Sequence, residues 1–101
     1  MTGYVQILAK MCEAALAGRV FLTFHANKEL KNDKLSYDDV ISCILTGEII
    51  EQQFDVERGE TKYLVFGDSL SKDEMAVVAR LGYNDDTVII TVYRLRITDY
   101  E

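Results

Sequence analysis

The chain has 101 residues, 49% of them hydrophobic, which is enough to bury one core, so we expect a single domain over 1–101. The net charge is −6, and residues 51–101 carry 11 Asp and Glu against 6 Lys and Arg. This balance excludes a strongly basic surface overall, so an RNA site must be a local patch. No run approaches the roughly 18 apolar residues of a membrane span. Without a signal pattern, Cys12 and Cys43 are expected to be small buried hydrophobes in a cytoplasmic protein.

The first half of the chain is predicted to be mainly helical. Apolar residues recur at three- and four-residue steps over 2–17, and 25–32 is expected to form a shorter helix after a brief strand at 20–24. Ser36 predicts the start of a third helix because its hydroxyl can cap free backbone amides. Gly47 predicts the end of that helix.

The second half is predicted to be an antiparallel sheet. Four extended runs are bounded by turn residues, at 49–54, 62–67, 75–81 and 88–95. The connectors are short and polar, which suits antiparallel neighbours. The sequence therefore predicts an α+β domain, with N-terminal helices packed on a C-terminal four-stranded antiparallel meander. The last strands are apolar on both faces, so one face requires a second cover, supplied by the N-terminal helix, a partner or a second copy.

Several short blocks occur in an order that is typical of one family. The blocks are His25-Ala26, Leu35 to Val40, Gly47 to Glu51, a strand ending near Gly67, and Ile89 to Tyr93. In this order the chain resembles the bacterial domain-of-unknown-function family 4258 over residues 21–95. The resemblance implies a RelE-like outline and a relationship to small RelE- and MqsR-like toxins, some of which cut messenger RNA and pair with zinc-finger antitoxins.

A metal-independent ribonuclease must activate the 2′-hydroxyl, stabilise negative charge on the phosphate and protonate the leaving oxygen. His25 is the only histidine and is the candidate acid or base. Arg80 and Arg94 are candidate phosphate forks, and Tyr93 is a candidate proton donor or base-stacking residue. The candidate substrate-binding residues are Lys28, Lys31, Lys34 and Arg96. We expect no cofactor and no metal site.

Each candidate also has a structural interpretation. His25 at a strand-to-helix junction is typical of a capping or packing residue, Tyr93 of cross-strand packing, and the arginines of solvated strand ends. The chain also departs from the family pattern at two places. Members typically carry an arginine after the His-Ala pair, where this chain has Lys31 or Lys34, and a histidine near the position of Met75.

Two functions from different classes follow. The first is a toxin-like protein of a toxin–antitoxin type system, acting as a metal-independent RNA endonuclease with a cognate antitoxin as its partner. The second is a noncatalytic acidic binding or inhibitor protein, encoded by a phage or plasmid, that occupies a basic nucleic-acid-binding surface of its partner. The two-sided apolar strands also predict a homodimer or a tightly bound partner.

Overall fold

The protein is described by a computed structural model that covers residues 3–95. Its helices are α1 (Gly3–Ala17), α2 (Phe24–Asn32) and α3 (Tyr37–Thr46). Its strands are β1 (Val20–Leu22), β2 (Glu48–Asp55), β3 (Glu60–Asp68), β4 (Glu74–Leu81) and β5 (Thr87–Arg94). The predicted helices and the four predicted strand runs are all present, with ends that differ by one or two residues.

The sheet has five strands in the order β1-β5-β4-β3-β2. Strands β2 to β5 form the expected antiparallel meander. The prediction of four strands is wrong, because β1 joins the sheet in parallel with β5, with Val20 opposite Thr87 and Leu22 opposite Ile89. Local patterning gave no sign of this pairing, since β1 has three residues and its partner strand lies 67 residues further along the chain, from Val20 to Thr87.

The core lies between one face of the sheet and the helices. Met11 of α1, Ile44 of α3 and the strand residues Val65 and Val77 are completely buried in one cluster. At the start of α1 the ring of Tyr4 meets that of Tyr63 edge to face, with centroids 6.3 Å apart. The N-terminal helix therefore lies in the same layer as α3 and does not cover the second face.

The second face of the sheet carries no helix in the part of the chain that the structure describes. Leu64, Phe66 and Val78 alternate along the strands with Val65 and Val77, are half-buried, and lie outside the core cluster. We call this surface the open face. Apolar residues on both sides of the central strands match the sequence pattern.

Helix α2 closes the edge of β5 beyond the end of β1. β1 pairs with β5 only as far as Ile89. Beyond it the Glu29 carboxylate accepts the backbone amide of Val92 at 2.8 Å, and the Asp33 carboxylate accepts that of Arg94 at 3.0 Å. The two acids are one helical turn apart and the two amides are alternate in the strand, so the helix runs along the strand.

Candidate functional site

A groove of about 320 Å³ at one end of the open face is lined mainly by charged side chains. Its charged lining residues are His25, Asp55, Arg58, Glu60, Lys62 and Arg80. The lining contains three permanent cations and a histidine but only two carboxylates. We therefore call this groove the basic groove. The structure thus brings together His25 and Arg80, two of the residues predicted to be catalytic.

The start of α2 and the edge of β5 hold His25 in place. Thr23 caps the helix, and its hydroxyl oxygen accepts the backbone amide of Ala26 at 3.1 Å. His25 therefore lies in the first turn, with 65% of its side chain exposed and its Nε2 3.1 Å from Oε2 of Glu29. The other oxygen of Glu29 accepts the Val92 amide. One carboxylate consequently connects the imidazole to the sheet.

The cations of the basic groove are held by loose ion pairs. Nε of Arg80 is 3.5 Å from Glu60, Nε of Arg58 is 3.8 Å from Asp55, and Nζ of Lys62 is 3.9 Å from Asp55. Such partly solvated pairs contribute about 0–1 kcal/mol each. An incoming anion can therefore replace a carboxylate at little cost.

Sequence reasoning missed Glu29, Arg58 and Lys62 as members of this site. For Glu29 a signal existed, because it follows His25 by four residues on a predicted helix, and such residues are neighbours on the helix surface. Lys62 and Arg80 line the same groove because their neighbours Tyr63 and Ala79 lie opposite each other in the register of β3 and β4. Nothing in the local sequence determines that register, so the pair could not be found without the structure.

Tyr93 lies on the open face but outside the lining of the basic groove. It is half-buried and lies opposite Ala76 in the β4–β5 register. Ile90, which lines the groove, is three residues away along β5, or about 10 Å. The catalytic role of Tyr93 stays a prediction.

Arg94 lies at the other end of α2 from His25. Its Nη2 donates to the carbonyl oxygens of Asp33 at 2.9 Å and Lys34 at 3.4 Å, its Nε donates to Asp33 at 3.3 Å, and its Nη1 lies 3.0 Å from Asp73. The helical rise places His25 about 12 Å from Asp33. Every donor nitrogen of Arg94 thus has a partner in the fold, and its predicted phosphate contact stays untested.

The predicted substrate-binding lysines lie along and after α2, outside the lining of the basic groove. The Lys28 ammonium lies 5.9 Å from the centre of the Phe24 ring. Lys31 is exposed in the last turn, and Lys34 follows the helix with a φ of 56°. Arg96 lies outside the described residues. All three lysines are exposed, and their predicted substrate contact stays untested.

Both cysteines are unsuited to nucleophilic chemistry. Cys43 is completely buried, and burial, together with the charge of Asp68, raises the pKa of its thiol to about 12. Burial also raises the pKa of Cys12, which is half-buried. Thiols that stay protonated near neutral pH are poor nucleophiles, and Cys43 is the small buried hydrophobe that was expected.

Within residues 3–95 no three His, Cys, Asp or Glu side chains form a group suited to a metal ion.

A second groove of about 440 Å³ lies at the opposite end of the open face. Its carboxylates are Glu48, Asp68 and Glu74, and its large apolar residues are Ile50, Phe66 and Leu95. None of the ion pairs within residues 3–95 involves these three carboxylates. We call this the acidic groove. Along β3 it is six residues from the basic groove, Lys62 to Asp68, or about 20 Å.

The fold and the site define a small α+β domain whose sheet has helices on one face and a histidine-containing groove on the other. Residues 22–94 match the model of the family described as Domain of unknown function (DUF4258), and the chain belongs to this family. No curated protein and no solved structure shows a significant match. None of the helices described between residues 3 and 95 is long and apolar enough to cross a membrane.

Proposed function

We propose that this protein is a toxin-like, metal-independent RNA endonuclease of a toxin–antitoxin type system, related to RelE-like toxins and acting in the cytoplasm with a cognate antitoxin as partner. One observation carries the proposal. His25 is held against Glu29 at 3.1 Å, in a groove that also contains Arg80 and Lys62. This arrangement combines a base with cations for a phosphate.

The contact with Glu29 supports a role for His25 as the general base. An ionised carboxylate only accepts hydrogen bonds, so Nε2 of the neutral imidazole carries the proton and Nδ1 keeps a free lone pair. Nδ1 is then the atom that removes the proton from a 2′-hydroxyl. General-base catalysis of this kind typically contributes 10²- to 10⁴-fold in rate.

Arg80 and Lys62 supply the positive charge that the reaction requires. A phosphate bound between them replaces Glu60 and Asp55 as their partner, and the cations stabilise the charge that develops in the transition state. The 2′-oxygen bonds to phosphorus and the bond to the 5′-oxygen breaks. The 2′-proton goes to His25 and water protonates the leaving oxygen. The products are a 2′,3′-cyclic phosphate and a 5′-hydroxyl.

The test uses a mixed-sequence oligoribonucleotide and its 2′-deoxy analogue, both incubated with the protein in the presence of a chelator. We expect fragments that end in a 2′,3′-cyclic phosphate from the RNA and an intact deoxy strand, because only RNA has the attacking hydroxyl. Cleavage of both strands, or cleavage that requires added metal, contradicts the proposed chemistry.

A second candidate function is favoured by the acidic groove. Three carboxylates around apolar side chains suit a basic surface, as expected of a noncatalytic binding or inhibitor protein that competes with nucleic acid. Protamine, a basic nucleic-acid-binding protein, serves as the probe. Under this alternative Glu48→Gln with Glu74→Gln weakens a salt-sensitive complex, whereas His25→Ala leaves it unchanged. Equal affinity of the acidic-groove variant and the natural protein excludes it.

A further inference from the structure

We propose that the open face is a self-association surface, on which two copies of this chain pack face to face so that the basic groove of each lies over the acidic groove of the other. The inference goes beyond the proposed RNA cleavage and does not depend on it. It rests on the apolar centre of the open face and on the opposite charges at its two ends.

The centre of the open face is mainly apolar. Phe66, Ala76 and Tyr93 form one row across the three central strands, and Leu64, Val78 and Thr91 form the next row, which the exposed Glu51 continues on the edge strand β2. Ala76 is completely buried, although it is outside the core cluster between the helices and the sheet. Its neighbours on the open face therefore already shield it, and their own outer surfaces remain available to a partner.

The charges at the two ends of the open face favour one arrangement of two copies. A twofold axis that crosses the strands near Leu64 and Val78 reverses the strand direction, so the basic groove of each copy meets the acidic groove of the other. An axis parallel to the strands would place acidic groove on acidic groove, and like charges facing each other are unfavourable. Two sheets joined in the first way form a sandwich, with the sheets about 10 Å apart.

The size of the surface sets the strength of the dimer. Strands β2 to β5 are eight or nine residues long and about 4.8 Å apart, so they span a projected area of about 500 Å². This is at the lower end of specific interfaces, so the dimer is reversible and depends on concentration. Because it covers the basic groove, self-association and RNA binding are mutually exclusive if the proposed function holds.

The test is the oligomeric state of charge-reversed variants, measured by sedimentation equilibrium up to about 1 mM, where even a weak complex is populated. The acidic groove is reversed in Glu48→Lys/Glu74→Lys, and the basic groove in Arg58→Glu/Arg80→Glu. The natural chain is expected to form a dimer that weakens in high salt. Each variant alone is expected to remain monomeric, and an equimolar mixture is expected to restore the dimer, because the two reversed ends then face each other with opposite charges, as the two native ends do.

The matched control, Glu13→Lys/Asp38→Lys, changes the net charge as the acidic-groove variant does, but at exposed positions of α1 and α3. It should dimerise like the natural chain. If Arg58→Glu/Arg80→Glu fails to fold, the acidic-groove variant and its control still decide. A natural chain that is monomeric at all concentrations, or a dimer that persists in Glu48→Lys/Glu74→Lys, overturns the proposal.

Discussion

The carboxylate of Glu29 accepts the backbone amide of Val92 at 2.8 Å, at the point where β1 no longer pairs with β5. The same carboxylate lies 3.1 Å from Nε2 of His25. One side chain therefore completes the edge of the sheet and orients the proposed base. The residue that replaces Glu29 decides whether one or both of these contacts are lost.

Glu29→Ala removes both contacts, whereas Glu29→Gln keeps a carbonyl oxygen for the Val92 amide. Leaving that amide unpaired should cost about 1–3 kcal/mol in the free energy of unfolding, and the glutamine variant should lose much less. RNA cleavage should fall in both, since neither retains a carboxylate for His25. Urea unfolding and initial rates provide the two measurements. Equal destabilisation by Ala and Gln would show that the bond to Val92 contributes little.

Arg94 provides a prediction that separates a structural role from a catalytic one. Its guanidinium joins the end of α2 to Asp73 in the turn before β4. Arg94→Ala should lower the free energy of unfolding by about 1–3 kcal/mol. Arg94→Lys should recover little of it, because a single ammonium cannot reproduce the planar fork. A stable Arg94→Ala protein with strongly reduced cleavage would instead support the predicted phosphate contact.

Asp39 makes the stability of the start of α3 dependent on pH. It accepts the amides of Ser36 at 2.8 Å and Leu70 at 2.9 Å, in a capping box with Ser36. Partial burial raises the pKa of Asp39, but these hydrogen bonds, the Ser36 hydroxyl and the charge of Arg94 outweigh it, and the net pKa is lowered.

A carboxyl group with a lowered folded-state pKa stabilises the protein above its unfolded pKa, about 3.9, and this contribution is lost as the pH falls through the folded value. Asp39→Asn should therefore destabilise the protein at about pH 6, and the difference from the natural chain should shrink towards about pH 3. Urea unfolding at both pH values measures it. A difference that is the same at both would show that ionisation of Asp39 does not contribute.

Much of the fold could be predicted from local signals, and much of the site could not. Ser36 and Gly47 marked the third helix because capping and termination depend on neighbouring residues. Two features depend on how distant segments pair, and hydrophobic periodicity does not encode their register. They are the pairing of β1 with β5 and the presence of Lys62 and Arg80 in one groove. Arg94 illustrates the same limit, since its partners come from α2 and from the turn before β4.

The most direct test of the central claim is the rate of RNA cleavage in chelator by the natural protein, His25→Ala and Arg80→Ala. Lys10→Ala, on α1 away from both grooves, is the matched control for loss of an exposed cation. We predict that the natural protein and Lys10→Ala cleave alike, that His25→Ala is at least about 10²-fold slower, and that Arg80→Ala is slower while remaining folded. Unchanged rates in His25→Ala and Arg80→Ala, or no cleavage by the folded natural protein, would contradict the assignment of this groove as a ribonuclease site.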